Sequence, residues 1–277
     1  NHIVNFGAVY MFDFYKAVMS FVAKKRKLPV RTYTFFDGKG YSNYLSWRHV
    51  SILPQLLKMW WILRKFTRRI SRLLQDAGNT SIKRLIENDP YLHSLWKTPA
   101  LSFIANNGIE KFHRVYGDPI CGITLYCKSE NLNAFTYLGV FFPLASTAWE
   151  MDLSDTLAML TKGLEEHILL DEVVRVTGND KIGFSIETKE QIFSAKNVVF
   201  AAPLPHLKNV DSSLPQPHSY SAVYVLNVVG TLQKMFTGKE VVIFDQKAHD
   251  IYILWKQIDD SYTVYSKRAD PPLGKYF

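Results

Sequence analysis

The spacing of apolar residues divides the chain into a helical first part and a strand-rich second part. From Pro54 to Leu95, and again over residues 98–117 and 152–169, apolar side chains recur every three or four positions, which predicts amphipathic helices. After Leu170 the period falls to two, and runs of β-branched and aromatic residues predict successive strands. Helices followed by a mixed, mostly antiparallel sheet predict an α+β fold.

The beginning of the chain is predicted to contain one helix and one hairpin. Residues 12–27 place apolar side chains on one helical face, and Pro29 closes this predicted helix. Asp37-Gly38 lies between two β-rich arms, which predicts a hairpin turn. A nucleotide-binding loop is disfavoured there, because Gly38 and Gly40 are not followed by a third glycine and a helix.

Two later helix boundaries are predicted from turn and capping residues. The helical block over residues 98–117 is predicted to end at Asp118-Pro119. Asp152 is predicted to be the N-cap of a helix over residues 152–169. The apolar stripe of that helix would consist of Leu153, Leu157, Leu160 and Leu164.

The second part of the chain is predicted to be a series of short strands. Residues 171–203 predict three strands, with turns at Gly178-Asn179 and Lys189-Glu190, and the third strand runs to the end of the sequence VVFAAP. Further strands are predicted within residues 219–230, 240–246, 250–257 and 261–267.

Composition limits the classes of protein to which the chain can belong. With 277 residues and 47% hydrophobic content, it is large enough for a packed core. Its apolar runs are shorter than the roughly 20 residues that a membrane-spanning helix needs. The two cysteines form neither a disulfide framework nor a zinc motif, so we expect a cytoplasmic protein. Because the chain begins at Asn1 without a leader pattern, we expect it to be an internal fragment.

Positive charge is concentrated on one predicted helix. Wound at 100° per residue, residues 54–75 form an apolar face and a basic face. The apolar face holds Leu56, Met59, Trp60, Leu63, Phe66, Ile70, Leu73 and Leu74. The basic face holds Lys58, Lys65, Arg68, Arg69 and Arg72, with Arg64 also in this acid-free segment. The net charge of +8 therefore depends largely on one helix.

Trp61 is the exception to this pattern, because it lies on the basic side of the helix. A tryptophan among cations suits a lipid headgroup layer, which predicts peripheral binding to an anionic membrane surface. The predicted interface consists of Leu57, Trp61, Lys65, Arg68 and Arg72. The alternative is an ordinary amphipathic helix in which a neighbouring segment covers Trp61. Nucleic acid ranks last as a partner, since no nucleic-acid-binding motif accompanies the arginines.

Other chemistry has little support in the sequence. The eight histidines form no metal-binding motif, so no metal site is predicted. No serine lies in a G-x-S-x-G elbow, and neither cysteine has the context of a catalytic nucleophile. Glu165 and Glu166 are adjacent on a predicted helix and point in different directions, which favours solvated charges over an acid–base pair.

The order of several motifs nevertheless resembles one enzyme superfamily. A helix, the strand sequence DEVVRV, a hairpin and a strand ending in Ala201-Ala202-Pro203 follow one another, and Gly7-Ala8 ends an early β-like segment. This succession resembles the flavin-dependent amine oxidase superfamily, which includes protoporphyrinogen oxidases and carotenoid (phytoene) desaturases. The resemblance covers nearly the whole chain at the level of element order.

The resemblance implies FAD as cofactor and assigns residues to it. Gly7 and Ala8 would be the small pair against the flavin ring, because only small residues let backbone approach the ring. Val173 would contact the adenine, and Ala201, Ala202 and Pro203 would lie near the phosphate and ribose portion. Residues 1–30 and 150–205 would be portions of the FAD-binding domain, and residues 31–149 and 206–277 the substrate-binding domain.

Three departures from the superfamily pattern shape the predicted reaction. A G-x-G-x-x-G motif and a late Gly-Asp flavin motif are missing, so we expect both outside residues 1–277. Only Met151 matches the Gly-Gly-Met that usually precedes the fourth helix. The lysine that amine oxidases carry near the flavin has only Lys234 as a counterpart. We therefore expect hydride transfer from a lipophilic substrate to FAD, with a non-catalytic membrane or interaction module built on residues 54–75 as the alternative.

Overall fold

The computed structural model describes residues 10–12, 19–22, 24–28, 33–36, 41–42, 47–75, 80–141, 148–152, 156–179, 181–201, 222–245, 248–257 and 259–277. The chain divides into two compact units. The first consists of Asn1–Leu157 and Ala222–Phe277, and the second of Ala158–Ser221. Helices together with mixed and antiparallel sheets confirm the predicted α+β class. The two domains implied by the resemblance remain a prediction.

The helical part of unit 1 begins with one long helix, α1, Leu53–Gln75, which confirms the helix predicted from Pro54 onwards. A 3-10 turn over Trp47–Ile52 leads into it. The shorter helices that follow are α2 Ile82–Asn88, α3 Pro90–Lys97, α4 Ala100–Asn106, α5 Glu110–Phe112, α6 Asp118–Leu125 and α7 Ala134–Gly139.

The prediction that the third helical block ends at Asp118-Pro119 is wrong. A π-helical turn over His113–Gly117 continues directly into α6, which starts at Asp118. Proline is tolerated in the first turn of a helix, because its missing N–H has no partner there in any case. Pro119 therefore lies in the first turn of α6. In the sequence alone, a proline is compatible both with the end of one helix and with the start of the next.

Unit 1 also contains two sheets. Their strands are β1 Tyr10–Phe12, β2 Lys24–Leu28, β3 Tyr33–Phe36, β4 Tyr41–Ser42, β5 Ala148–Asp152, β9 Tyr224–Val228, β10 Val241–Phe244, β11 Ile251–Lys256 and β12 Tyr262–Ser266. The larger sheet has the order β4-β3-β10-β11-β12-β9. Its neighbours are antiparallel except β3 and β10, which are parallel. The pairing of β3 with β4 confirms the hairpin predicted around Asp37-Gly38.

The smaller sheet, of order β1-β5-β2, contradicts two helix predictions. Lys24–Leu28 was expected to end a helix, but it forms β2 and pairs along its whole length with β5. Asp152 was expected to cap a helix, but it is the last residue of β5. Pairing with a distant strand outweighs the modest helix preference of a lysine-rich run, because propensity is only a weak prior.

The helix predicted over residues 152–169 is also much shorter than expected. Helix α8 spans only Thr156–Thr161, and a 3-10 turn over Glu165–His167 follows. Gly163 has φ +79°, which interrupts the helix with a left-handed residue. Leu160 and Leu164, expected to face a core, are 48% and 50% exposed.

Unit 2 is built on a three-stranded antiparallel sheet, as the sequence predicted. Its strands are β6 Val173–Asn179, β7 Gly183–Thr188 and β8 Ile192–Ala195, in the order β6-β7-β8. Gly178 has φ +126°, and a Cβ there would collide with the backbone of Gly183, so the turn requires glycine. The third strand ends at Ala195, and Val199, predicted to lie in that strand, is 89% exposed beyond it.

The large sheet separates two apolar clusters because successive strand residues face opposite sides. Val241, Ile243 and Trp255 face the helices and join the larger cluster. Val242, Phe244 and Leu254 face the other side and pack with Phe236 and Tyr276. Both faces of β10 are therefore buried, which explains its uninterrupted apolar sequence.

Candidate functional site

The residues assigned to the flavin lie mostly outside the described ranges. Those outside are Gly7, Ala8, Ala202 and Pro203, whose placement stays a prediction. Val173 and Ala201 are described, and both belong to unit 2. Val173 opens β6 and is 38% exposed, and Ala201 is exposed as well. Both residues are thus accessible to a ligand, which is compatible with the contacts assigned to them.

Lys234, the counterpart of the amine oxidase lysine, lies in an exposed turn after β9. An exposed lysine on a turn has no geometric feature that marks it as catalytic. It remains a candidate only through its position in the sequence.

The basic helix α1 packs as its periodicity predicted along most of its apolar face. Met59 and Phe66 are 1% and 2% exposed, and Leu63 and Ile70 pack against the same core. The prediction for Trp60 is wrong, because this residue of the apolar face is 51% exposed. The Trp60 ring contacts the neighbouring Trp61 edge to face at 5.4 Å.

Trp61 and Leu57 are exposed on the other side of α1. Their exposures are 64% and 58%, so no described segment covers Trp61, and the choice between an ordinary amphipathic helix and a membrane interface remains a prediction. Val50 and Leu53, just before this point, are 57% and 50% exposed. The first half of α1 and the turn before it therefore present a contiguous run of exposed apolar side chains.

The second half of α1 presents cations beside this apolar surface. A shallow groove of about 490 Å³ is lined by Trp61, Ile62, Arg64, Lys65, Arg68, Arg69 and Arg72. Arg64 lies over the Trp60 ring at 5.1 Å, and Lys65 lies over the Tyr91 ring at 4.3 Å. Exposed apolar and cationic side chains thus lie side by side in this groove.

A cavity that the sequence did not predict lies in unit 1, between the helices and the inner strands β11 and β12 of the large sheet. Its volume is about 590 Å³. It is lined by Leu101, His113, Asp118, Gly122, Tyr126, Cys127, Lys128, Ser129, Glu130, Tyr252 and Lys267. The lining comes from four separate stretches of the chain, so no contiguous motif in the sequence could have revealed it.

Two tyrosines form the aromatic wall of the cavity, and each is placed by an irregular backbone. Tyr126 follows α6 with φ 51°, an unfavourable conformation for a large residue, and its ring stacks on Tyr265 at 5.8 Å. A register shift between Ile251 and Ile253 turns Tyr252 toward the helices together with Ile253. The Tyr126 and Tyr252 rings then meet at 5.6 Å.

Lys267 is the half-buried cation of this cavity. Its Nζ donates to the backbone oxygen of His249 at 2.7 Å and lies 5.7 Å from the centre of the Tyr252 ring. Burial lowers the pKa of the Lys267 ammonium, because the charged form loses hydration, although nearby carboxylates such as Asp250 and Asp245 oppose this shift.

Ser129 connects two ionisable groups of the cavity. Its side chain is buried, and Oγ donates to Oδ1 of Asp118 at 2.8 Å while lying 3.3 Å from Nε2 of His113. In a hydrolase triad the serine hydroxyl donates to the histidine, and the histidine in turn to the carboxylate. Here the serine bonds the carboxylate directly, so the cluster positions charge and does not form a triad.

Within the described residues, no group of three metal-ligating side chains could hold a metal ion. In the same part of the chain, no helix is long and apolar enough to span a bilayer. Burial raises the pKa of the Cys121 thiol to about 12, which disfavours a thiolate nucleophile.

Comparison with known proteins gives relatives by fold alone. No family model matches the chain, and no curated protein matches it. Among solved structures, a putrescine oxidase bound to putrescine has a TM-score of 0.66 at 12% identity over 93% of this chain. Cyclohexylamine oxidase from Brevibacterium oxydans IH-35A has a TM-score of 0.62 at 10% identity over 95%. A CLA-producing fatty acid isomerase from P. acnes has a TM-score of 0.60 at 15% identity over 97%.

These structural neighbours belong to the FAD-dependent amine oxidase and desaturase superfamily that the element order resembled. The chain therefore has the fold expected from that resemblance over most of its length. It spans 63% of the putrescine oxidase, 63% of the cyclohexylamine oxidase and 66% of the isomerase.

Proposed function

We propose that this chain is part of an FAD-dependent oxidoreductase of the amine oxidase, protoporphyrinogen oxidase and desaturase superfamily. One observation carries the proposal: three enzymes of this superfamily share the fold over at least 93% of the chain. The fold favours an enzyme over the non-catalytic module that the basic helix alone would suggest.

The cofactor would be held by residues whose small or exposed side chains leave room for it. Gly7, Ala8, Ala201, Ala202 and Pro203 would line the flavin and its phosphate and ribose portion. Val173 would contact the adenine, and its exposure at the start of β6 supports that assignment. FAD, when bound, supplies the hydride acceptor, and the chain's own contribution is to bind and orient the donor.

The donor in this proposal is a lipophilic small molecule. One structural neighbour is a fatty acid isomerase, which supports a lipophilic donor. Lys234, the only counterpart of the amine oxidase lysine, is exposed on a turn, which favours such a donor over an amine. The putrescine and cyclohexylamine oxidases among the neighbours favour an amine as the second candidate donor.

The cofactor proposal is tested by the visible absorption spectrum of the protein purified from the intact gene. We expect flavin absorption bands that the Val173→Glu variant loses or weakens, because a carboxylate would be placed against the adenine. Ile182→Glu is the matched control, since Ile182 is an 80% exposed apolar residue of the same unit. A folded, colourless protein that takes up no added FAD would contradict the proposal.

We further propose that the enzyme binds an anionic membrane surface through α1. Leu57, Trp61 and the side chains before them would enter the headgroup layer, while Lys65, Arg68 and Arg72 would meet lipid phosphates. Charge complementarity selects an anionic lipid surface as the partner, and lipids are also where a lipophilic donor would partition. No nucleic-acid partner is proposed.

This surface is tested by flotation with liposomes of phosphatidylcholine and phosphatidylserine. Trp61→Ala with Arg68→Glu should weaken binding about tenfold or more, since each basic residue near the surface contributes about 1 kcal/mol. Ile182→Ala with Lys181→Glu makes the same kinds of change in an exposed turn of unit 2 and should leave binding unchanged. Equal binding of parent and helix variant would remove the proposal.

A further inference from the structure

We infer that the groove on α1 binds the headgroup of a phosphomonoester lipid in preference to the headgroup of a phosphodiester lipid. A phosphomonoester carries about 1.5 to 2 negative charges near neutral pH, and its free oxygens are strong hydrogen-bond acceptors. The inference rests on the membrane binding proposed above and names the lipid chemistry that this binding selects.

The charges of α1 are not arranged to stabilise the helix itself. Residues 53–75 contain no aspartate or glutamate, so none of the cations has an acidic partner within the helix. Lys65 lies three residues before Arg68, and Arg68 lies four residues before Arg72. Side chains at these spacings are neighbours on a helix surface, where like charges repel each other. An anion that contacts several of these cations at once would relieve the repulsion.

Arg68 and Arg72 supply free guanidinium groups to the groove. Both side chains are exposed, and within the described part of the chain neither has an ion pair, a hydrogen bond or a ring contact. Arg69 differs from them, because its guanidinium donates to Asp89 at 3.0 Å. A guanidinium offers its N–H donors in a planar fork that matches phosphate geometry. Two free guanidinium groups one helical turn apart can therefore share the oxygens of one phosphomonoester.

Arg64 and Lys65 add further positive charge to the groove and are held by aromatic rings. Arg64 lies over the Trp60 ring at 5.1 Å, and Lys65 lies over the Tyr91 ring at 4.3 Å. These ring contacts restrict two long side chains, which lowers the entropy cost of ordering them around an anion. Together with the two free guanidinium groups they give the groove four positive charges, most of which a singly charged phosphodiester would leave uncompensated.

Trp61 indicates that this phosphate belongs to a lipid. Its ring lines the same groove and is 64% exposed, and Leu57, one helical turn earlier, is 58% exposed. Tryptophan is favoured in the headgroup layer of a bilayer, whereas a soluble phosphate would leave both apolar side chains in water. A headgroup at a bilayer surface engages the cations and the apolar side chains together.

The test measures flotation of the full chain with phosphatidylcholine vesicles that contain either phosphatidylserine or phosphatidate. The two vesicles are matched for surface charge by electrophoretic mobility, so that non-specific attraction to the surface potential is equal. We expect about fivefold or greater preference for the phosphatidate vesicles. Equal partitioning would overturn the inference and leave the membrane proposal intact, whereas no partitioning to either vesicle would contradict both.

Variants assign the preference to the two free guanidinium groups. Arg68→Lys combined with Arg72→Lys keeps both charges but replaces each planar fork by a point charge. This double variant should lose most of the preference for phosphatidate and bind phosphatidylserine vesicles like the parent. Lys58→Gln is the matched control, because Lys58 lies on the same helix outside the groove lining, and this variant should keep the preference. An undiminished preference in the double variant would contradict the inference.

Glycerol 3-phosphate distinguishes a lipid headgroup from a free phosphate ligand, because it carries the same phosphomonoester without acyl chains. At about 10 mM and constant ionic strength, it should leave most of the protein on the phosphatidate vesicles, since it cannot replace the burial of Leu57 and Trp61. Complete displacement would show that the groove takes a soluble phosphate and would overturn the assignment to a lipid.

Discussion

The Arg69 guanidinium donates to Oδ2 of Asp89 at 3.0 Å and so joins the basic helix α1 to the start of α3. The other oxygen of the same carboxylate accepts the backbone N–H groups of Tyr91 and Leu92 at 2.9 and 3.0 Å. One aspartate thus caps α3 and anchors α1. Arg69 therefore has a structural role, whereas no described carboxylate lies within ion-pair distance of Arg68.

Replacing Asp89 should destabilise unit 1 through the lost cap. We expect Asp89→Ala to lower the free energy of unfolding by about 1–2 kcal/mol, and Asp89→Asn, which keeps an acceptor for the N–H groups, to lower it by less. The measurement is urea unfolding followed by circular dichroism. An alanine variant as stable as the parent would show that the cap is dispensable.

The contribution of Asp89 to the free energy of unfolding should also depend on pH. Partial burial alone would raise its pKa, but the hydrogen bonds from Leu92 and Arg69 outweigh that effect and hold the pKa below 3.8. A carboxylate whose pKa is depressed by folding stabilises the protein above its unfolded pKa and stops doing so as the pH falls through the folded value. The stability difference between parent and Asp89→Asn should therefore be constant near neutral pH and shrink below about pH 4.

Two glycines of the helical block should respond oppositely to alanine. A Cβ on Gly117 would collide with Oη of Tyr137 and Nδ1 of His113, whereas a Cβ on Gly139 would meet nothing within 4 Å. Gly117→Ala should destabilise the protein by about 1–3 kcal/mol through overpacking. Gly139→Ala should be neutral or stabilise by up to about 1 kcal/mol, since alanine is the better helix former. Equal thermal shifts for the two variants would contradict the tight packing around Gly117.

The two cysteines should differ in reactivity. Cys121 is fully buried, and burial raises its pKa to about 12, whereas Cys127 is only partly buried although burial also raises its pKa. Iodoacetamide at pH 8 should label Cys127 slowly and leave Cys121 unlabelled until the protein is denatured. Mass spectrometry of peptides distinguishes the two sites, and comparable native labelling of both would show that α6 opens readily.

Membrane binding through α1 should weaken with salt but not disappear. Raising the ionic strength from about 0.05 to 0.5 M shortens the Debye length several-fold and screens Lys65, Arg68 and Arg72 from lipid phosphates. Burial of Leu57 and Trp61 is insensitive to this screening, so the residual binding at high salt should vanish in Trp61→Ala. Binding that is independent of salt would exclude an electrostatic role for the basic side chains.

Local patterns in the sequence determined the elements that depend on nearby residues. The 3.6-residue period placed α1, the Asp37-Gly38 turn predicted the β3–β4 hairpin, and Gly178 marked a turn that only glycine can form. These features follow from backbone sterics and from the amphipathic period, both of which can be read within one segment. The order of the elements also carried the superfamily resemblance that the fold comparison supports.

Tertiary structure alone decided which of several locally acceptable conformations each ambiguous segment adopted. Lys24–Leu28 could be helix or strand, and pairing with β5 made it a strand. Asp118-Pro119 could end a helix or start one, and the π-turn before it allowed α6 to begin there. The cavity joins Asp118, Ser129, Tyr252 and Lys267 from distant stretches of the chain, and a β-bulge turns Tyr252 toward it. Such contacts depend on long-range pairing and packing, which leave no periodic trace in the sequence.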